Sequence, residues 1–126
     1  MEAATHTVLV VDDDSSIRLL CRVNLEFDGW RVREAATLAQ ARAELEEGGV
    51  DVVLLDVHVG TGSGVDLLGE IRRDHPGVPV AMLTGSVDAA TLDGVATDAF
   101  IPKPFTLQQL TGTVRELASR AASRAG

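Results

Sequence analysis

Several polar side chains in this sequence stand at the ends of short apolar runs, and their types suit phosphoryl chemistry. Asp12, Asp13 and Asp14 follow Val8-Leu9-Val10-Val11, and Asp56 follows Val52-Val53-Leu54-Leu55. Thr84 follows Ala81-Met82-Leu83, and Lys103 comes just after Ala99-Phe100-Ile101-Pro102. Carboxylates brought close repel and raise one another's pKa values unless a cation intervenes. A divalent metal resolves that conflict, and all-oxygen ligands select Mg²⁺, with Mn²⁺ as the alternative. A carboxylate is also a nucleophile able to form an aspartyl-phosphate. Phosphoryl transfer asks the protein mainly for positioned oxygens, charge neutralisation and alignment. A metal, the Thr84 hydroxyl and the Lys103 ammonium around Asp56 meet those needs. Lys103 is the chain's only lysine among 11 Lys plus Arg. An ammonium is a compact point charge that a planar guanidinium does not replace. The plainer reading makes Asp12, Asp13 and Asp14 acids at a helix N-terminus, favourable to its dipole. Asp14 fits that role, but three in a row exceed what capping needs, and Asp56 leads into a loop.

The elements that must position these residues alternate from end to end. Residues 8–11 are a β-branched strand, after which Ser15 or Ser16 can cap a helix. That helix carries Ile17, Leu20, Cys21 and Leu25 at helical spacing, with Gly29 as its stop. Trp30, Val32 and Glu34 alternate with arginines as a second strand. Thr37 can cap a helix with Leu38, Ala41 and Leu45 on one face, ended by Gly48-Gly49. Residues 50–55 are a buried strand, and the glycine-rich 59–64 reads as a loop. Leu67, Leu68 and Ile71 mark a third helix, and Pro79 opens a fourth strand through Leu83. Residues 88–95 predict a weak, short fourth helix and 99–101 a short fifth strand. Leu107, Leu110, Val114, Leu117 and Ala121 stripe a last helix, and residues 119–126 are small and polar enough to fray or begin a linker.

Five strands and five helices in alternation predict a parallel sheet covered on both faces. The expected fold is a flavodoxin-like (βα)5 three-layer sandwich with strand order 2-1-3-4-5. Such open sheets bind ligands beyond the carboxyl ends of their strands, where connections diverge to opposite faces. In that order the first and third strands are adjacent, so Asp12, Asp13 and Asp56 share one crevice, with Thr84 and Lys103 on the same rim.

Composition narrows the rest. A chain of 126 residues with 45% apolar content fits one folded domain, 1–126. No apolar run approaches the ~18 residues of a membrane span. The formal net charge of −8 opposes binding a polyanion through charge, so direct nucleic-acid binding and membrane contact are not expected. Cys21 has no partner for a disulfide and no metal spacing, which makes a reducing cytoplasm the expected setting. His6 and His75 are isolated and read as surface residues.

The segments VLVVDDD, VVLLD ending at Asp56, MLTG around Thr84 and IPKPF around Lys103 together resemble the signature set of response-regulator receiver domains. The resemblance runs in order over essentially the whole chain. It implies that Asp56 takes a phosphoryl group from a phosphohistidine on a sensor histidine kinase or phosphotransfer protein, or from a small phosphodonor. It further implies that Asp13 binds Mg²⁺ directly, that Asp12 does so largely through water, and that the His58 backbone carbonyl completes the set. Thr84 offers its hydroxyl to the new phosphate, Lys103 pairs with Asp56 or a phosphate oxygen, and Pro104 follows a cis bond. Gly85, being small, leaves the acceptor reachable, and Gly64 falls where the family has a glycine. Phosphorylation then biases a switch in which Thr84 moves and an aromatic residue, here Phe100, turns inward to signal a downstream protein or an effector domain. In this reading the chain is a signalling domain that catalyses only its own phosphorylation and dephosphorylation. It is a stand-alone receiver or the receiver portion of a longer regulator.

The sequence departs from that pattern in places. Phe100 stands where tyrosine is common, so the ring either favours an inward rotamer or is a plain core phenylalanine. Gly60 replaces a usual proline, which predicts a more mobile loop after Asp56. His58 is an unusual side chain beside the acceptor. The stretch from Thr84 to Phe100 is short, so the fourth helix should be abbreviated or partly unwound. Two other readings compete. In the first, Asp12-Asp13-Asp14 resembles the start of haloacid-dehalogenase-like phosphatases, with Asp12 as nucleophile and Asp14 as general acid. That class needs further acids after the lysine, and only Glu116 lies there. The second is a receiver fold that binds partners without phosphorylation.

Overall fold

The computed structural model describes residues 6–85, 92 and 94–125, the last four by backbone alone. The strands are β1 (Thr7–Val11), β2 (Arg31–Ala35), β3 (Val52–Asp56), β4 (His58–Val59), β5 (Gly62–Ser63), β6 (Val80–Thr84) and β7 (Ala99–Pro102). The helices are α1 (Ser15–Phe27), α2 (Leu38–Glu47), α3 (Gly64–Asp74) and α4 (Leu107–Ala125). Five strands form one parallel sheet in the order β2-β1-β3-β6-β7, the expected flavodoxin-like 2-1-3-4-5 arrangement. The predicted fourth helix, 88–95, lies largely outside the described residues.

The central strands read as continuous apolar runs because each is buried on both faces. Alternate residues go to opposite layers. Leu9, Val11, Val53 and Leu55 pack with Ala41 and Leu45 of α2 and Leu67 and Ile71 of α3. Val8, Val10, Val52 and Leu54 pack with Cys21 and Leu25 of α1 and with Leu110, Val114 and Leu117 of α4. Burying each such side chain stabilises the fold by roughly 1.5–3 kcal/mol.

Several details differ from expectation for local reasons. Asp14, not Ser15 or Ser16, caps α1: its extended backbone precedes the first turn and its carboxylate accepts the Ser16 N–H at 2.8 Å. Leu20 is 42% exposed, because the buried stripe follows i, i+4, i+8 through Ile17, Cys21 and Leu25 and leaves Leu20 a quarter-turn away. Leu107 likewise stands half in solvent at the first turn of α4. That helix itself continues through Ala125. His75, expected at the surface, is half-buried as the cap that ends α3, its N–H donating to the Ile71 carbonyl at 2.7 Å.

The glycine-rich stretch after Asp56 is a defined hairpin, with β4 and β5 pairing His58 with Ser63 and Val59 with Gly62. Val59 is buried in the core, and Gly60 makes the reversal at φ +61°, where glycine carries no steric penalty. Ser63 then caps α3, accepting the Asp66 N–H.

Candidate functional site

Strand register builds the site. Val11 pairs with Leu55, so the next residues, Asp12 and Asp56, emerge side by side at the carboxyl edge of the sheet. Asp56 pairs with Leu83, and Thr84 pairs with Pro102, which brings Thr84 and Lys103 to the same edge. The Lys103 N–H donates to the Thr84 carbonyl at 2.6 Å and locks the two connections together. The Lys103–Pro104 peptide is cis.

Lys103 Nζ lies 3.0 Å from Asp12 Oδ2 and 3.2 Å from Asp56 Oδ2. Burial alone would pull the lysine pKa down, but hydrogen bonding and charge from Asp12 and Asp56 outweigh it and hold the ammonium charged. Asp12 is wholly buried; its Oδ1 accepts the Asp14 N–H at 2.9 Å, and its Oδ2 accepts from Lys103. An ionised carboxylate at zero exposure persists only when paired in this way. Asp56 keeps partial exposure. Burial first, then the charge of Asp12, raises its pKa above the usual carboxylate range, against the opposing pull of Lys103 and the Val57 N–H.

Asp13 is exposed and accepts the Gly60 N–H on Oδ2 at 3.1 Å. Asp12, Asp13 and Asp56 can each offer an oxygen such that all three lie within 4.8 Å of one another. Three carboxylates against one ammonium leave excess negative charge, and hard oxygen donors in that number suit a Mg²⁺ that keeps part of its water shell. The donor set therefore fits the expected cation.

Gly64 has a physical necessity that its sequence position alone did not reveal. A Cβ there would fall 1.9 Å from the Asp56 carbonyl oxygen, while the Gly64 N–H donates to Val57 O at 2.7 Å. The start of α3 is thus pressed against the Asp56 backbone. His58 is exposed and two residues from Asp56; Gly85 is half-buried directly after Thr84. Phe100 is 48% exposed, so here the ring is neither turned inward nor a core residue. Ile101 takes the buried side of β7, and Phe100 points the opposite way on this edge strand. Cys21 is inert: burial first, then Asp12, pushes its thiol up to about 12.

Two supporting groups went unseen in the sequence. Arg18 Nη1 donates to the Asp12 carbonyl at 2.7 Å, and its Nε donates to Glu34 at 3.1 Å. Glu34 also accepts from Arg22 at 2.7 Å. The link depends on β2 lying beside β1, with Glu34 opposite Val10, which only the pairing register reveals.

The site also decides against the phosphatase alternative. Asp12 has no exposed surface from which to reach a substrate, whereas Asp56 keeps 14% side-chain exposure. Asp14 is occupied as a helix cap.

Residues 8–115 match the family described as the response regulator receiver domain, and the chain belongs to that family. The sensor kinase CckA of Brucella abortus is 36% identical over 123 residues, 94% of this chain and 13% of that protein. The transcriptional regulatory protein CpxR of Klebsiella pneumoniae is 35% identical over 121 residues, 92% of this chain and 50% of CpxR. The chain thus spans half or less of these curated relatives. Among solved structures, a CheY-like response regulator receiver domain protein from Methanospirillum hungatei superposes with a TM-score of 0.87 at 27% identity, covering 96% of this chain and 99% of that one. Among the described residues no helix is long and apolar enough to cross a membrane.

Proposed function

We propose that this receiver domain, residues 1–126, accepts a phosphoryl group on Asp56 and thereby controls a downstream protein or effector domain from the cytoplasm. The observation that carries the reading is the division of labour between the two carboxylates that share Lys103. Asp12 is sealed, whereas Asp56 keeps access to the rim. In the transfer, an Asp56 oxygen forms the new P–O bond as the P–N bond to a donor histidine breaks. The imidazole leaves with the electron pair and regains a proton. With acetyl phosphate the leaving group is acetate.

Asp12, Asp13, Asp56 and the His58 carbonyl would hold Mg²⁺, or Mn²⁺, whose positive charge offsets that of the phosphoryl oxygens. Lys103 exchanges its contact with Asp56 for one with a phosphate oxygen, and the Thr84 hydroxyl donates to another. Movement of Thr84 then relays the state toward Phe100, whose ring is half exposed.

The donor we propose is a sensor histidine kinase or histidine phosphotransfer protein. Leu19, Val23 and Phe27 form an exposed apolar strip along α1, the helix that starts beside Asp13. A partner delivering a phosphohistidine to Asp56 would rest there.

Incubation with Mg²⁺ and acetyl phosphate should add one phosphate by intact mass, acid-stable and base-labile, and absent in Asp56→Asn. An unmodified wild type with both acetyl phosphate and a phosphorylated kinase would sink the proposal. So would labelling that survives in Asp56→Asn.

A further inference from the structure

The turn of the β4–β5 hairpin reaches back to the carboxylate cluster through a backbone hydrogen bond. The Gly60 N–H donates to Asp13 Oδ2 at 3.1 Å, bridging residues 47 positions apart in sequence. Asp13 is the exposed member of the cluster, so nothing about burial confines its side chain as it confines Asp12. The donor, in contrast, is fixed. Val59 next to it is buried, the two strand pairs close the hairpin, and the left-handed φ of +61° aims the amide.

We propose that the Gly60 amide is a positioning group for Asp13. It holds that carboxylate toward Asp12 and Asp56, and it makes the hairpin that follows Asp56 responsive to divalent-cation binding. The inference rests on the reading above, in which these carboxylates hold Mg²⁺. A carboxylate has two oxygens and about four lone-pair sites, so accepting one N–H leaves capacity for a cation. Hydrogen bonds to a ligating carboxylate orient it, and their loss typically lowers metal affinity by about 10–100-fold. A cation that draws on the charge of Asp13 weakens or re-aims the Gly60 bond. Because β5 runs straight into α3 through the Ser63 cap, that change is delivered to the start of a helix already pressed against Asp56.

The test uses the full chain, labelled with ¹⁵N. Without metal, the Gly60 amide proton should move upfield in Asp13→Ala relative to wild type, and in wild type it should shift on titration with Mg²⁺. Mg²⁺ affinity should fall about tenfold in Gly60→Pro, which has no N–H and cannot reach this φ. It should stay within roughly twofold in Gly60→Asn, which keeps the N–H and tolerates a positive φ. A Gly60 amide indifferent to Asp13→Ala overturns the proposal, and that measurement decides even if Gly60→Pro fails to fold. So does a folded Gly60→Pro that binds Mg²⁺ as tightly as wild type. A wild type that binds Mg²⁺ and is labelled by acetyl phosphate while Gly60 stays silent overturns this inference alone. One that neither binds Mg²⁺ nor is labelled overturns the functional reading with it.

Discussion

Asp12 and Asp56 are chemically identical side chains that one pairing register sets side by side, yet they are fit for different work. Asp12 spends its two oxygens on the Asp14 amide and Lys103, and Arg18 fixes its carbonyl from behind. Asp56 has Lys103 on one oxygen and solvent within reach. Its neighbourhood tolerates no added atom on the backbone side, because Gly64 lies against its carbonyl. Gly64→Ala must push α3 away from β3 or twist the Asp56 backbone, which should cost about 2–3 kcal/mol of stability. Urea unfolding of the variant checks this. An unchanged midpoint would mean that the contact at Gly64 is looser than 1.9 Å implies. A resemblance to a family pattern marked this glycine without giving its reason. The reason is a distance between residues eight positions apart that no local pattern encodes.

At the scale of elements, α1 carries one end of the site, and α4 fastens it. Asp28 at the C-cap of α1 accepts from Arg115 Nε of α4 at 3.0 Å and pairs with its Nη2; Trp30 Nε1 adds a third donor at 3.0 Å. The hydrogen bond from Arg115 holds the Asp28 carboxyl below its usual range, against a smaller opposing effect of burial. A carboxyl whose folded pKa is depressed contributes stability above its unfolded pKa and loses it as pH falls through the folded value. Thermal unfolding of wild type and Asp28→Asn should therefore differ near neutral pH and converge as the solution becomes acid. A constant gap would remove the ion pair as the cause. The other face of α1 is exposed among the described residues, with Phe27 95% exposed at its end. Phe27→Asp should slow phosphoryl transfer from a kinase while leaving labelling by acetyl phosphate and the melting temperature unchanged. Equal slowing with both donors would place the effect in the chemistry instead of the docking. Helix spacing alone made the inner stripe of α1 readable, though it put Leu20 on the wrong side. Period 3.6 leaves a residue one position from the stripe at an angle that only the neighbouring helix decides.

For the whole molecule, the alternation of apolar runs with helical patterns was enough to read a parallel sheet covered on both faces, while its strand order followed from assuming a flavodoxin-like arrangement. The convergence of Asp12, Asp13, Asp56, Thr84 and Lys103 was legible for the same reason: each ends a strand of one parallel sheet. The hairpin after Asp56, the Arg18–Glu34 link and the outward Phe100 were not, because each depends on register or on which face of an edge strand finds cover. A site assembled from the ends of four strands ties the stability of the entire sheet to its charge. Without metal, the raised pKa of Asp56 means that its ionised form works against the fold near neutral pH, from burial and from Asp12. Mg²⁺ binding only the folded state should relieve this and stabilise the chain by about 2.7 kcal/mol at a hundredfold excess over Kd. For a domain of this size that corresponds to a rise in Tm of roughly 3–6 °C per kcal/mol, reversed by EDTA. Asp56→Asn removes a like charge from the cluster and should raise the metal-free Tm while shrinking the Mg²⁺ response. Calorimetry with and without Mg²⁺ on both proteins tests the two effects together. If Asp56→Asn keeps the full Mg²⁺ response, the cation is not bound at this carboxylate cluster.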